Sequence, residues 1–348
     1  MNFSNWQLFA IGAALTLLFA ANVHSFSGDV YYQMCDASAA VAIDESHFIV
    51  ANDEDNILRI YNINSSIPVS SFDVSRFLRI DYDDKSPESD VEGAARIDDY
   101  YVFITSHGRD KKGRLRRNRH QLFAVKIDKN MNIIPVGKPY SGLMNSLVTK
   151  KELKFLYNTY LPHDKKREEL APKKRGVNIE GLAVIPGTQK CIIGFRNPIP
   201  DGQALLVIFE NPLQVLFNNE LPEFGRTTLL PLGRRGIRDI VFHPQLQRYL
   251  ILAGSAGSRN RSRLFVWSGH DEELPRQQPE FVFSKMDNFN PEALVIYKNR
   301  SAFQVFSDDG AMTVEDGLGG TCDCKELSQP GKKRFRGIWI KTSALQTD

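Results

Sequence analysis

Asn178-Ile179-Glu180-Gly181-Leu182-Ala183, followed by Cys191-Ile192-Ile193-Gly194-Phe195-Arg196-Asn197-Pro198, decides the fold. The first segment opens on a polar and acidic pair and runs into an apolar strand with small side chains. The second is an apolar strand that ends on charged and polar residues. The unit returns along the chain as Asp36-Ala37-Ser38-Ala39-Ala40-Val41, Asp90-Val91-Glu92-Gly93-Ala94-Ala95, Gly236-Ile237-Arg238-Asp239-Ile240-Val241 and Asn290-Pro291-Glu292-Ala293-Leu294-Val295. Its starts at 36, 90, 178, 236 and 290 are spaced like the repeats of a β-propeller, with one long interval between 90 and 178.

Each opening leads to a second β-rich run: His47–Asn52, Tyr101–Ser106, Cys191–Phe195, Tyr249–Gly254 and Ala302–Ser307. Third runs follow at Ile57–Tyr61, Gln121–Ile127, Ala204–Phe209 and Arg263–Trp267, and weaker fourth ones at Pro68–Phe72 and Glu280–Ser284. Four strands per repeat, with small residues where the first strands crowd the axis, predict an all-β chain forming a single β-propeller of five blades. A sixth blade is the alternative, if the long interval supplies one. The last repeat has one further strand, Phe335–Ile340, so the N-terminal run Asp29–Met34 is expected to supply its outer strand and close the ring, leaving no open sheet edge there. Within the long interval, about 140–176, Ser146–Tyr160 sets Leu147, Leu153, Leu156, Tyr157 and Tyr160 on one helical face, and Lys165–Arg175 reads as a solvated basic connector.

The 348 residues are 42% hydrophobic and 24% charged, the balance of a globular chain, and the net charge of +3 is too small and too mixed to point to nucleic acid. Leu8–Ala21 is an apolar run of signal-peptide length followed by small residues up to Ser25. The expectation is a signal peptide over 1–25 and an exported, periplasmic or secreted, monomeric domain over 26–348 with no membrane span after processing. A retained anchor is the alternative, because MNFSNWQ carries no Lys or Arg. Cys35, Cys191, Cys322 and Cys324 can pair in three ways, and a bridge from Cys35 to Cys322 or Cys324 would staple the closing seam. Free or locally paired thiols are the other possibility.

Propeller geometry itself names a site. First strands start, and second strands end, on one face of the ring. Asp36, Asp90, Glu92, Asn178, Glu180, Arg238, Asp239 and Glu292 therefore share that face with Asn52, Asp53, Glu54, Asp55, Ser106, His107, Arg109, Arg196, Asn197, Ser255, Asp308 and Asp309. Carboxylates interleaved with arginines can hold a divalent metal such as calcium or magnesium through hard oxygens, with Asp36 and Asp90 as candidate ligands. They can also grip a small anionic ligand through Arg109, Arg196, Asn197, Arg238, Asp239 and Asp308, or set carboxylate pKa values apart for acid–base chemistry. Repeated polar residues at strand ends also satisfy turns and neighbouring blades, which is the structural alternative. Asp53-Glu54-Asp55-Asn56 and Asp81-Tyr82-Asp83-Asp84 are acidic enough for calcium but lack EF-hand spacing. Arg109–His120 (RDKKGRLRRNRH) is the densest basic run, readable as an anion-gathering loop or as a solvated hairpin tip. HExxH, Walker and GxGxxG motifs are absent, and Ala253-Gly254-Ser255-Ala256-Gly257 misses the nucleophile elbow by one glycine.

The five openings, with Ser106-His107-Gly108-Arg109, Gly194-Phe195-Arg196-Asn197-Pro198 and Ser307-Asp308-Asp309-Gly310, resemble the bacterial family catalogued as domain of unknown function 3616 from about Cys35 to Ile340. That resemblance implies a propeller-like, often exported repeat and carries no activity with it. More remotely, Glu-Gly-Leu-Ala is similar to an element of the esterase-like phytase propellers, a likeness of one short motif per blade that transfers no catalytic residue. Two functions are therefore expected from the residues. One is a hydrolase of phosphorylated or ester substrates, with Glu92, Glu180 and Glu292 as metal ligands or general base, His107 as proton carrier and Arg109, Arg196 and Arg238 stabilising negative charge. The other is a non-catalytic module that binds a ligand or a protein on the same face.

Overall fold

The computed structural model describes residues 28–80, 87–160, 166–257, 262–286, 288–317 and 319–347. The expected signal peptide and the Asp81–Asp84 acidic run lie outside them. Among the described residues no helix is long and apolar enough to cross a membrane.

The chain is a five-bladed β-propeller. Strand β1 (Gly28–Tyr32) comes first and is kept for the end of the ring. Blade 1 is β2 (Ala39–Ala42), β3 (His47–Ala51), β4 (Ile57–Asn62) and β5 (Pro68–Asp73); blade 2 is β6 (Val91–Ile97), β7 (Tyr100–Thr105), β8 (Leu122–Ile127) and β9 (Ile133–Tyr140). Blade 3 is β10 (Asn178–Val184), β11 (Cys191–Asn197), β12 (Ala204–Phe209) and β13 (Phe224–Leu230); blade 4 is β14 (Gly236–His243), β15 (Arg248–Gly254), β16 (Arg263–Trp267) and β17 (Arg276–Gln277). Blade 5 takes β18 (Pro291–Val295), β19 (Ala302–Ser307) and, after a small hairpin of β20 (Thr313–Glu315) and β21 (Thr321–Asp323), β22 (Arg334–Lys341). Its outermost strand is β1, antiparallel to β22, as the unassigned N-terminal run predicted.

Innermost strands pack against one another in the order β2, β6, β10, β14, β18 and back to β2, which closes the ring. Small residues are needed there. A Cβ on Gly181 would stand 2.8 Å from Ile237 Cγ2, and one on Gly93 would stand 3.1 Å from the Glu180 carbonyl oxygen. The seam between blades 5 and 1 is filled by aromatic rings: Tyr31 stacks on Phe335 at 5.2 Å, and Phe48 meets Phe306 at 4.7 Å. A disulfide joins Cys35 to Cys324 across 289 residues, which leaves Cys191 and Cys322 as thiols.

Three local expectations are corrected. The insertion is not one helix but short turns, α1 (Ser75–Leu78) being unrelated and α2 (Leu143–Leu147) and α3 (Leu156–Tyr160) flanking a 3-10 turn at Lys151–Leu153. Leu147, Leu153, Leu156 and Tyr160 do reach the core between blades 2 and 3, whereas Tyr157 is exposed, because the break shifts the helical phase. The fourth strand of blade 4 is not Glu280–Ser284 but the two-residue β17, since Pro275 and Pro279 bracket it and remove ladder donors. Phe281 and Phe283 instead turn inward into the core between blades 4 and 5. The basic connector is not solvated along its length: Leu170 and Ala171 are buried and Arg167 N–H donates to the Gly113 carbonyl at 2.9 Å.

Candidate functional site

In four blades the innermost strand slips register by one residue near its start. The slips fall between Val91 and Gly93, Ile179 and Gly181, Ile237 and Asp239, and Pro291 and Ala293. The skipped residues are Glu92, Glu180, Arg238 and Glu292. A bulge of this kind re-aims its side chain, here toward the axis. Carboxylate oxygens of Glu92, Glu180 and Glu292 lie within 4.8 Å of one another, and so do those of Asp53, Asp90 and Glu92. Residues from blades 2, 3 and 5 can meet at such distances only on the axis, with Glu92 shared by both groups.

Arginines offset part of this charge. Arg196 donates to Glu180 Oε1 at 2.5 Å, Arg238 pairs with Glu292, and Arg119 spans Glu88 at 2.7 Å and Asp90 at 2.9 Å. Asp36, from blade 1, forms a main-chain β-bridge with Asp308 of blade 5, and the Asp53 and Asp308 carboxyls act on its own. Three arginines thus face Asp36, Asp53, Asp90, Glu92, Glu180, Glu292 and Asp308. Burial, then Asp308 and Asp53, holds the Asp36 carboxyl well above the ordinary carboxylate range. Burial, then Asp90 and Asp308, pushes Asp53 up to about 7. Glu92 is raised well above its ordinary value by burial and then by Glu180 and Asp90. Asp36 Oδ1, Asp53 Oδ1 and Glu180 Oε2 are enclosed yet have no hydrogen-bond partner among the described residues. Buried carboxylate oxygens left without a donor call for a proton or a cation.

Comparison with known proteins places the sequence in a family. A family model described as "Protein of unknown function (DUF3616)" matches residues 36–285. The chain belongs to the DUF3616 family. No curated protein matches this DUF3616 chain. Among solved structures it is similar to the β-propeller domain of Cps50 (Swd1) from Myceliophteria thermophila, at 8% identity and a TM-score of 0.38, over 87% of this chain and 82% of that one. The family match takes in Asp36, Asp53, Asp90, Glu92, Glu180, Arg196 and Arg238, whereas Glu292 and Asp308 come from the fifth blade beyond it.

Other residues expected on this face of the DUF3616 chain have different work. Asp239 accepts the Leu294 N–H at 2.7 Å and so bolts blade 4 to blade 5; burial pushes its carboxyl to about 7. Asn197 donates to the carbonyls of Gly176 at 2.6 Å and Lys174 at 3.3 Å, fixing the end of the insertion. Asn52 caps its own turn, and Asp55 and Asp309 pair with Arg59 and Arg336. His107 does not join the carboxylates. Its ring lies 5.5 Å from that of His120, which in turn lies 5.6 Å from Tyr160, and its Nδ1 bonds the Thr105 carbonyl at 2.8 Å. Arg109 goes with this second cluster, donating to the Gly113 carbonyl at 3.2 Å, and its charge helps lower His120. The basic run is therefore largely folded in, with Asp110 gripped by Arg114 and Arg116. Sequence reasoning missed Arg119 as a site residue because it sits inside that run, where nothing marks one arginine from the next.

The histidine pair makes a pH prediction. Burial lowers His107 to about 4, and burial together with His107 and Arg109 lowers His120 to about 3, against an ordinary 6.5. Between those values the unfolded chain takes up protons that the folded chain does not, so this contribution is intact above pH 6.5 and is lost as pH falls toward 4. Raised carboxylates such as Asp239 act with the opposite sign, so the difference between two proteins is the useful quantity. His107→Asn keeps a donor and tolerates the positive φ of 52° at this position while removing the titration. The gap in urea stability between wild type and this variant is expected to change by about 2–3 kcal/mol from pH 7 to pH 4.5. A constant gap would show that the ring is not buried as a neutral imidazole.

Proposed function

We propose that this DUF3616 chain is an exported propeller that binds a divalent cation on its axis. The observation that carries this reading is the sharing of Glu92 by two carboxylate groups whose oxygens lie within 4.8 Å, beside enclosed oxygens that have no donor among the described residues. All-oxygen donors drawn from irregular directions suit calcium better than magnesium, which demands a near-ideal octahedron. The Cys35–Cys324 disulfide supports an oxidising address.

Calcium at a hundred times its Kd should stabilise the protein by about 2.7 kcal/mol, a rise of several degrees in Tm. Glu92→Gln separates the site from general stability. Burial and the Glu180 and Asp90 carboxylates act against a charge on Glu92, so an isosteric neutral amide should leave cation-free stability unchanged or raised while the calcium response disappears. A full calcium response in Glu92→Gln would refute the site.

A second reading is hydrolysis of a phosphorylated or ester substrate. It is favoured by the cations held near the ring: Lys111, Lys112, Lys173, Lys174 and Arg175 are exposed, make no salt bridge among the described residues, and ride on segments tied together at Gly113 and Arg167 and anchored by Asn197. A cation held by Glu92 would then polarise the substrate's phosphoryl or acyl group. Turnover of phosphate esters that vanishes with calcium removal and in Glu92→Gln would establish it; calcium binding without turnover would leave the binding module.

A further inference from the structure

We infer that the rim of the mouth between blades 2 and 3 is a docking platform for a linear polyanion that repeats phosphate groups, an inference that holds whether or not the axis binds a cation. Two segments build it, 109–120 between β7 and β8 and 166–175 before β10. They hold twelve of the chain's 44 Lys and Arg and three of its 41 Asp and Glu, so the other residues carry 32 basic groups against 38 acidic ones. The net charge of +3 thus conceals a strongly basic patch on an otherwise acidic chain. Strand β7 ends, and β10 starts, at the mouth, where Ile179 N–H donates to the Ser106 carbonyl at 2.9 Å, so both segments stand on that face.

The patch is held in place by its own backbone. Asp110, the one acid of the first segment, is buried: its Oδ1 accepts the N–H groups of Lys112 at 2.8 Å and Arg114 at 3.0 Å, and its Oδ2 accepts Nε–H of Arg114 at 2.6 Å and of Arg116 at 3.1 Å. Lys111 and Lys112 are left exposed at the tip. That tip rests on the second segment, where Arg167 N–H donates to the Gly113 carbonyl at 2.9 Å and any side chain at Gly113 would run into the Arg167 carbonyl. Glu168 and Glu169 pair with Lys166 and Arg167, while the Lys174 backbone is tied to Ala171 at 2.9 Å and to the Asn197 amide at 3.3 Å. Lys173, Lys174 and Arg175 stay exposed, and like Lys111 and Lys112 they make no salt bridge among the described residues. Holding five like charges together costs stability that a freely moving tip would avoid, so the ties point to a partner that brings the counter-charge. Four of the five are lysines, point charges that follow charge density rather than the geometry of one group, and their spread over two segments suits several phosphates in a row. A flat anionic bilayer laid on this face also meets Asp53, Glu54 and Asp55, three half-buried acids after the second strand of blade 1, so a chain that follows the rim fits the charge better.

The test is a titration of the full chain in EDTA, so that no axial cation contributes, with long-chain inorganic polyphosphate and in parallel with orthophosphate. Polyphosphate is expected to bind about a hundredfold more tightly per phosphate, or better. Its log Kd should rise with log salt at a slope of about 3–4, from roughly 0.7 per cation for single-stranded polyanions. Lys111→Ser/Lys112→Ser and Lys173→Ser/Lys174→Ser should each weaken binding about tenfold or more and lower that slope by about 1. Lys129→Ser/Lys298→Ser removes the same charge from exposed hairpin turns on the opposite face and should change neither. All six side chains are exposed, so unchanged melting temperatures show that the variants are folded. Equal weakening by the opposite-face pair would show attraction to net charge alone, and no preference for polyphosphate over orthophosphate would show a merely solvated rim; either result overturns the platform. Binding to phosphatidylglycerol vesicles that the rim variants abolish, without binding to polyphosphate, would overturn the polymer in favour of a membrane surface. None of these outcomes involves Glu92 or calcium, so failure here is distinct from failure of the cation site.

Discussion

Arg196→Met is expected to cost about 3–5 kcal/mol of stability, more than any substitution that leaves a charge partner in place. The guanidinium is buried; it pairs with Glu180 at 2.5 Å and donates to the carbonyls of Ser255 at 3.3 Å and Gly257 at 3.5 Å. Replacing it by a thioether keeps the packing but removes the ion-pair partner of Glu180, leaving that carboxylate enclosed beside Glu92 and Glu292 with the Asn178 amide and an Arg238 already paired with Glu292. The loss comes mainly from that stranded charge, so Glu180→Gln in the same chain should restore a good part of it. Urea unfolding of the two single variants and the double variant closes the cycle. If the double variant is as unstable as the sum of the singles, Arg196 and Glu180 are not coupled and the charge-pair account of the ring fails.

The second large effect is at the seam. Cys324→Ala opens a covalent loop of 289 residues, and chain entropy for loops of this size gives a loss near the upper end of the usual range of about 2–5 kcal/mol. Cys35→Ala should cost the same, and the double variant no more than either, since both remove one bond. Cys322→Ala should be close to neutral, because this thiol is half-buried in the short β20–β21 hairpin and takes no part in the bridge. A large loss for Cys322→Ala with little for Cys324→Ala would mean that the other member of the Cys-Asp-Cys pair closes the ring in solution.

Both predictions fall on residues that stand out in the sequence, yet they stand out to different degrees. Glu92, Glu180, Arg238 and Glu292 occupy the same place in their repeats, so their shared face can be read from alignment of the openings. Their meeting on the axis cannot. It depends on a one-residue bulge in each strand, and a bulge leaves the pattern of apolar and polar residues almost unchanged. His107 shows the converse. It follows a second strand, as a residue of the mouth should, but a left-handed backbone turns its ring to His120 and the insertion. The choice of Cys324 over Cys322 as partner of Cys35 is equally closed to sequence, since two cysteines separated by one residue reach the same seam.

The absence of a sixth blade among the described residues was settled by the structure, whereas sequence by itself determined the repeat, its five openings, the N-terminal strand available to close the ring and the face on which charge collects. Those follow from periodicity and turn chemistry, which act over a few residues and recur in each blade. Tertiary structure alone decided which charges touch: that Arg196 neutralises Glu180, that Asp36 faces Asp308 across the seam, that Asp239 is a bolt between blades, and that Arg119 leaves its basic run to hold Asp90. The physical reason is range. Strand formation is a local preference repeated in every blade, whereas the balance of charge at the axis is set by side chains far apart in the chain, brought within hydrogen-bonding distance only when the ring closes.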